Sequence, residues 1–367
     1  MGNIRIENKT RFLSLWLLAI LLGGCKEEWV QNKPIAEKHD PDHLEGDYRP
    51  HDSIEKLLLD FNPLDHGFKE SLREPNWVSG DSAFHMRGDD IVIGTIIKEK
   101  AYAFPWWIMK NHHIANLIIE DIPVVVTLCE MCSGANVFKR EVGGQVLDFF
   151  QRGLYKSSWF MEDYETGSYF LPFEGIGFHG PLQDSVLEFI ETYQTTWEVW
   201  FEANPETQVL FDSQDKRKGH GSREFPGRTF TEELFYSTKL EELSDRLPKN
   251  ELVLGVSLDD AHKAYSFKML EKNGLVTEDV LKGGNAIVIF HKPSSIYTGV
   301  FSPVLQDEIL RFSEVDGNIK DTKTGSIWNY NGRCIAGVYK GFKLEPIFSA
   351  IKEWYGWHSY HPDTDVF

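Results

Sequence analysis

The sequence lacks the motifs that announce the common enzyme chemistries. It contains no P-loop, no H-E-x-x-H, no G-x-S-x-G and no dinucleotide-binding fingerprint. Positive charge is in short supply, with 38 Lys and Arg against 56 Asp and Glu and a formal charge of −18. Residues 1–24 carry a net +2, so the remainder carries −20. A surface that acidic repels nucleic acid and anionic lipid, so nucleic-acid binding is set aside. Long apolar runs are also missing. Apart from "FLSLWLLAILL" (12–22), no segment approaches the length and apolarity needed to cross a membrane. Cysteine is the rarest residue, four in 367.

What is present is the material of a core. With 41% hydrophobic residues, eleven Trp and twenty-five Phe, general disorder is excluded. The length accommodates one large domain or two modest ones. The run 12–22 follows Arg5, Lys9 and Arg11 and leads into Leu22-Gly23-Gly24-Cys25. It has the length of a signal-peptide apolar region, and its end looks like the lipobox of bacterial lipoproteins. The expectation is cleavage before Cys25, lipidation of that cysteine, and a chain anchored outside the cytoplasm of a bacterial cell. The following Lys26-Glu27-Glu28 resembles the signal that sends some lipoproteins to the outer membrane and cell surface.

Past a polar tether with a short helical piece (25–76), the sequence repeats itself. "ETGSYF" (165–170), "EGIGFHG" (174–180), Trp197, Trp200 and Pro205 reappear as "KTGSIW" (323–328), "NGRCIAG" (331–337), Trp354, Trp357 and Pro362. "KAYAF" (100–104) matches "KAYSF" (263–267), and "IPVVVTLC" (122–129) falls opposite "NAIVIFH" (285–291). Ordered matches of this kind predict two similar units in tandem. The first unit is placed at 77–212, a Gly-rich basic linker at 213–245 and the second unit at 246–367. The fold class is α+β, strand-rich and internally duplicated. Strand-turn-strand segments are predicted around Lys98–Lys100 and Gly143-Gly144. The spacing of Val186, Ile190, Tyr193, Trp197 and Trp200 predicts one amphipathic helix.

Duplication supplies an internal control, because what recurs serves the shared fold first. The T-G-S turns, the Asp163 and Asp321 ahead of them, and the W-x-x-W pairs all recur, so they read as turns, caps and core. Cys334 reads as a small buried apolar residue. The C-x-x-C of "VVVTLCEMCSGANVF" (124–138) does not recur. His291 and Ser294 stand opposite Cys129 and Cys132, and His112-His113 also lack counterparts.

These residues resemble an uncharacterised bacterial and archaeal family, domain of unknown function 3179. The likeness runs through "VIGTIIKEKAYAFPWWIMKNHHIANLIIEDIPVVVTLCEMCSGANVFKR", "MEDYETGSY", "SDRLPKNELVLGV" and the terminal "WYGWHSYHPDT", about four-fifths of the chain. Members usually place a His-Glu pair before an Asn, a Tyr before the first cysteine and Pro-Leu between the two. Here those places hold His112-His113, Asn116, Leu128 and Glu130-Met131. The resemblance carries over Cys129, Cys132 and His112, and it implies no settled activity.

Three readings of the cysteine pair follow. Two thiolates three apart suit copper or zinc, with His112 completing the shell and His179 and His291 as further candidates. Alternatively the pair performs thiol–disulfide chemistry, although a strand and hairpin, rather than a helix, follow it. Thirdly, the cysteines form a structural disulfide in a surface module whose acidic, aromatic-rich composition suits glycans or peptides. No reaction or substrate is named by the sequence, and the expected partners are a membrane, through Cys25, and an unidentified small molecule or protein.

Overall fold

The computed structural model describes residues 70–211 and 244–367, apart from 131, 156 and 157. The expected leader, Cys25, and most of the expected tether and linker lie outside these residues.

The chain is mostly β. Its four α-helices among the described residues, Trp106–Met109, Trp197–Ala203, Phe267–Asn273 and Trp354–His358, span seven residues at most. Runs of β-branched residues such as Ile91–Ile97 and Ile122–Cys129 make the strands, as expected of side chains that fit a pleated, buried surface.

A five-stranded sheet is centred on the antiparallel pair Ile91–Ile97 and Lys100–Pro105. Thr192–Thr196 joins on one side, antiparallel; Gln208–Phe211 joins on the other, parallel, and carries Asn76–Ser79 at the edge. Among residues 252–366, Ser349–Glu353, Leu252–Leu258, Ala261–Ser266 and Asp365–Val366 pair in the corresponding senses. The sheet of Ile114–Ile119, Ile122–Cys129 and Gly134–Lys139 likewise corresponds to that of Val276–Val280, Ala286–His291 and Thr298–Phe301. The T-G-S turns match in detail. Asp163 accepts from Thr166 N and Ser168 N, and Asp321 accepts from Thr324 N, each carboxylate also bonding the threonine hydroxyl.

Both W-x-x-W pairs are core. Trp200 Nε1 donates to Thr207 Oγ1 at 3.0 Å and Trp357 Nε1 to Thr364 Oγ1 at 2.9 Å. Each indole lies flat on a strand glycine, Gly94 or Gly255, where a Cβ would enter the ring. Cys334 is buried in an apolar cluster with Phe312 and Trp328.

The amphipathic helix expected over 186–200 is replaced. Phe189–Ile190 and Thr192–Thr196 are strands, and the helix starts only at Trp197. Three threonines favour extended backbone there, and pairing with Ile91–Ile97 satisfies that backbone, so tertiary pairing overrides the helical spacing.

Residues 76–211 meet residues 252–366 along a seam rich in charge. Among the described residues, four Glu–Lys or Glu–Arg ion pairs cross it: Glu99–Arg333, Glu174–Lys352, Glu191–Lys343 and Glu202–Lys292. In each, the acid comes from the earlier segment and the base from the later one.

Candidate functional site

The hairpin of Ile122–Cys129 and Gly134–Lys139 carries the C-x-x-C at its tip. Cys129 is the last residue of the first strand, in register with Gly134, and Cys132 lies in the connecting turn. Ser133, at φ 56°, adopts the left-handed backbone that reverses the chain. Both thiols are buried among Phe138, Phe149, Trp159, Phe173 and Tyr355. Cys132 Sγ lies 3.9 Å from Ser158 Oγ and within hydrogen-bonding reach of Cys129. Among the described residues no disulfide is formed.

The later half of the chain closes this site. Glu353 N donates to the Cys132 carbonyl at 3.0 Å, and Ser133 Oγ donates to Glu353 Oε1 at 3.0 Å. Gly356 lies so close that a Cβ there would stand 3.1 Å from Cys132 Cβ. Lys352 and Glu174 form an ion pair at 2.5 Å with side chains only 1% and 2% exposed. The Lys352 ammonium sits over the rings of Phe173 and Tyr360, at 4.8 and 4.9 Å. Tyr360 donates its hydroxyl to Tyr155 O at 2.7 Å. His361 Nε2 stands 4.0 Å from Glu174 Oε1.

Electrostatics follow from this burial. Loss of water pushes the Cys132 thiol well above its ordinary value, and the Cys129 thiol adds to the rise, while the Lys352 ammonium opposes it. Tyr360 is raised by burial first, then by the charges of Glu174 and the two cysteines. Burial therefore favours the neutral thiol at Cys132, beside a buried Lys352–Glu174 ion pair.

Each histidine named from sequence has partners of its own. His112 sits in the turn after Trp106–Met109, not within that helix, and the Ile114–Ile119 strand intervenes before the cysteine strand. Its Nδ1 bonds Glu70 O at 2.9 Å. His113 is the one tied to the hairpin: its carbonyl accepts from Leu128 N, and its ring stacks on Trp159, whose Nε1 donates to Leu128 O at 3.1 Å. His179 packs against Tyr169. His291 is buried with Nε2 3.3 Å from Glu271 Oε2. Among the described residues no group of three or more His, Cys, Asp or Glu is disposed to hold a metal ion.

Sequence reasoning missed Lys352, Glu174 and Tyr360. The offset between the matched motifs could have found them, since Thr195, Asn331 and Ala203 stand opposite them in sequence at that offset.

A separate open cleft of about 1060 Å³ lies on the five-stranded sheet. Trp77 and Tyr102 line it, together with Asp81, Glu99, Glu120 and Asn204. The Tyr102 phenol donates to Glu120 at 2.8 Å, and burial with that carboxylate pushes its pKa up to about 12.

Fold and site thus define a mostly-β protein with a buried vicinal dithiol sealed by its own C-terminal segment. The chain belongs to the family described as "Protein of unknown function (DUF3179)", whose family model matches residues 71–364. No curated protein and no solved structure matches it.

Proposed function

We propose that this protein is a lipid-anchored, extracytoplasmic member of its family, built from two fused copies of one unit, that binds a soft transition-metal ion on Cys129 and Cys132. The observation that carries the metal reading is the placement of both sulfurs at one hairpin tip, side by side and out of water. A turn of this kind can present two sulfurs to one ion without rearranging the strands. Thiolates select soft ions, and two of them suffice for copper(I), whereas zinc asks for four donors. Copper therefore fits the pair better than zinc, and His112 is not needed for it.

The thiol-exchange reading has less support. A nucleophilic cysteine needs a stabilised thiolate and access, commonly at a helix N-terminus. Here burial favours the neutral thiol and a strand follows. The matched strand orders and the paired Trp–Thr bonds support the duplication.

The test is metal content of the full chain, extracted in detergent under reducing conditions without metal affinity, beside Cys129→Ser/Cys132→Ser. About one copper per chain, lost in the variant, is expected. Absence of metal from both, even after reconstitution with copper(I), would overturn the reading.

The cleft favours a second, compatible reading, a surface module for a neutral polyhydroxyl ligand such as a glycan. An aromatic pair flanked by carboxylates and an amide offers both stacking and hydrogen bonds to such a ligand. Titration of soluble oligosaccharides against Trp77→Ala would test it; equal heats with both proteins would remove it.

A further inference from the structure

We propose that Lys352 is a fixed counter-charge for a thiolate pair at Cys129 and Cys132, and that it tunes this site toward a monovalent soft cation, copper(I), over divalent ions. The proposal rests on the metal reading above and deepens it.

The buried ion pair requires an explanation first. Removing two charges from water costs several kcal/mol per ion, and apolar replacements for such pairs are often neutral or stabilising. Stability alone is thus a weak reason to keep Lys352 and Glu174 at 1% and 2% exposure. Their location supplies a better one. Lys352 is one residue from Glu353, which bonds the Cys132 carbonyl, and its ammonium rests on Phe173, a member of the apolar cluster that encloses both cysteines. A Cβ at Gly356 would stand 3.1 Å from Cys132 Cβ and 4.0 Å from Lys352 Cβ, so the two side chains start from one patch, and the Lys352 charge favours the Cys132 thiolate. Glu174 also stands 4.0 Å from His361 Nε2.

Charge balance then discriminates between ions. Copper(I) binding breaks two S–H bonds, forms two Cu–S bonds and releases two protons to solvent, with no change of oxidation state. The dithiolate complex carries −1, while the same complex of a divalent ion is neutral. In a dry site an uncompensated −1 is costly, and a nearby ammonium offsets much of that cost. The positive end of the Lys352–Glu174 pair therefore favours the monovalent complex and does little for the neutral one. Lys352 acts here as a positioning charge and not as a ligand.

The experiment is a competition titration on the full chain in detergent, anaerobic and reduced, with copper(I) delivered from a bicinchoninate complex. Zinc is titrated in parallel against a chromophoric chelator. Lys352→Met alone leaves Glu174 buried without its cation and risks misfolding, so Glu174→Gln/Lys352→Met is the informative variant, with its thermal transition as a folding control. Expected is copper(I) binding weakened about tenfold, the order for removing the nearer, positive end of a buried ion pair whose two charges cancel at longer range, with zinc affinity changed less than about threefold. Equal copper(I) affinity in wild type and double variant overturns the role of Lys352 while leaving the dithiol reading intact. A parallel loss of both metals overturns it as well, since that marks a purely structural effect. Failure of the wild type to take more copper(I) than Cys129→Ser/Cys132→Ser overturns the metal reading itself.

Discussion

Adding a single methyl group at Gly255 should loosen the seal over the dithiol. In Gly255→Ala the new Cβ would fall inside the six-membered ring of Trp357, so the indole must move. Overpacking of this kind costs about 1–3 kcal/mol. Displacing the indole also forfeits the bond from Nε1 to Thr364 Oγ1, about 1 kcal/mol. Against this, alanine recovers about 0.5–1 kcal/mol of strand backbone entropy that glycine loses. The net is a destabilisation of about 1–3.5 kcal/mol, read as a lowered urea midpoint. Gly94→Ala, under Trp200, should cost a similar amount for the same reason. The two should differ at the thiols. Trp357 shares its helix with Gly356, which backs onto Cys132, so only Gly255→Ala should speed alkylation of Cys129 and Cys132. Trp357→Phe in the Gly255→Ala background should cost less than it does alone, because the smaller ring relieves the clash. A Gly255→Ala midpoint equal to wild type, or strictly additive effects with Trp357→Phe, would refute this packing argument.

Further outcomes can be checked together. In the folded wild type, iodoacetamide should modify Cys129 and Cys132 at least tenfold more slowly than in urea, as mass spectrometry of the peptides would report; equal rates would contradict their burial. Burial raises the Glu162 pKa from 4.5 to about 7 despite Arg152 Nε at 2.8 Å. Between those values the folded chain holds a proton that the unfolded chain has released, so stability should fall as pH rises through this window and level off above it. Glu162→Gln should flatten that slope, worth up to about 3 kcal/mol at about 1.4 kcal/mol per unit, in urea melts on either side of the window. Asp163→Ala and Asp321→Ala should each cost about 2 kcal/mol without changing metal content, since both carboxylates cap their turns and Asp321 also accepts from Trp328 Nε1; metal loss in Asp163→Ala would contradict that. Cys25→Ala should abolish incorporation of an alkynyl fatty acid, and persistent labelling would remove the proposed anchor.

The strands around both hairpins were legible because β-branched runs and turn residues announce them locally. The turn at Lys98-Glu99 has positive φ at both residues, the primed geometry that suits a hairpin, although neither residue is glycine. The 186–200 segment was misread because its aromatic spacing mimics a helix, while the strand partner that decides the matter lies about a hundred residues earlier in sequence. The site was half legible. The cysteines stand out because the matched stretch later in the sequence lacks them, and Lys352 is asymmetric in the same way, since Thr195 stands at the matching sequence position. Proximity of Lys352 to Cys132 is a long-range fact that no local pattern encodes.

The one-way polarity of the seam restricts how these segments can associate. Two copies of the earlier segment would bring Glu99, Glu174, Glu191 and Glu202 to the seam without Arg333, Lys352, Lys343 and Lys292 to pair with them. Two copies of the later segment would leave those bases without their acids. Glu174 or Lys352, buried without its partner, would cost several kcal/mol. Each segment thus accepts the other better than itself, so the heterologous pairing is written into the charges as well as into the covalent link. The dithiol, which needs residues from both sides to be closed, is consequently assembled once per chain.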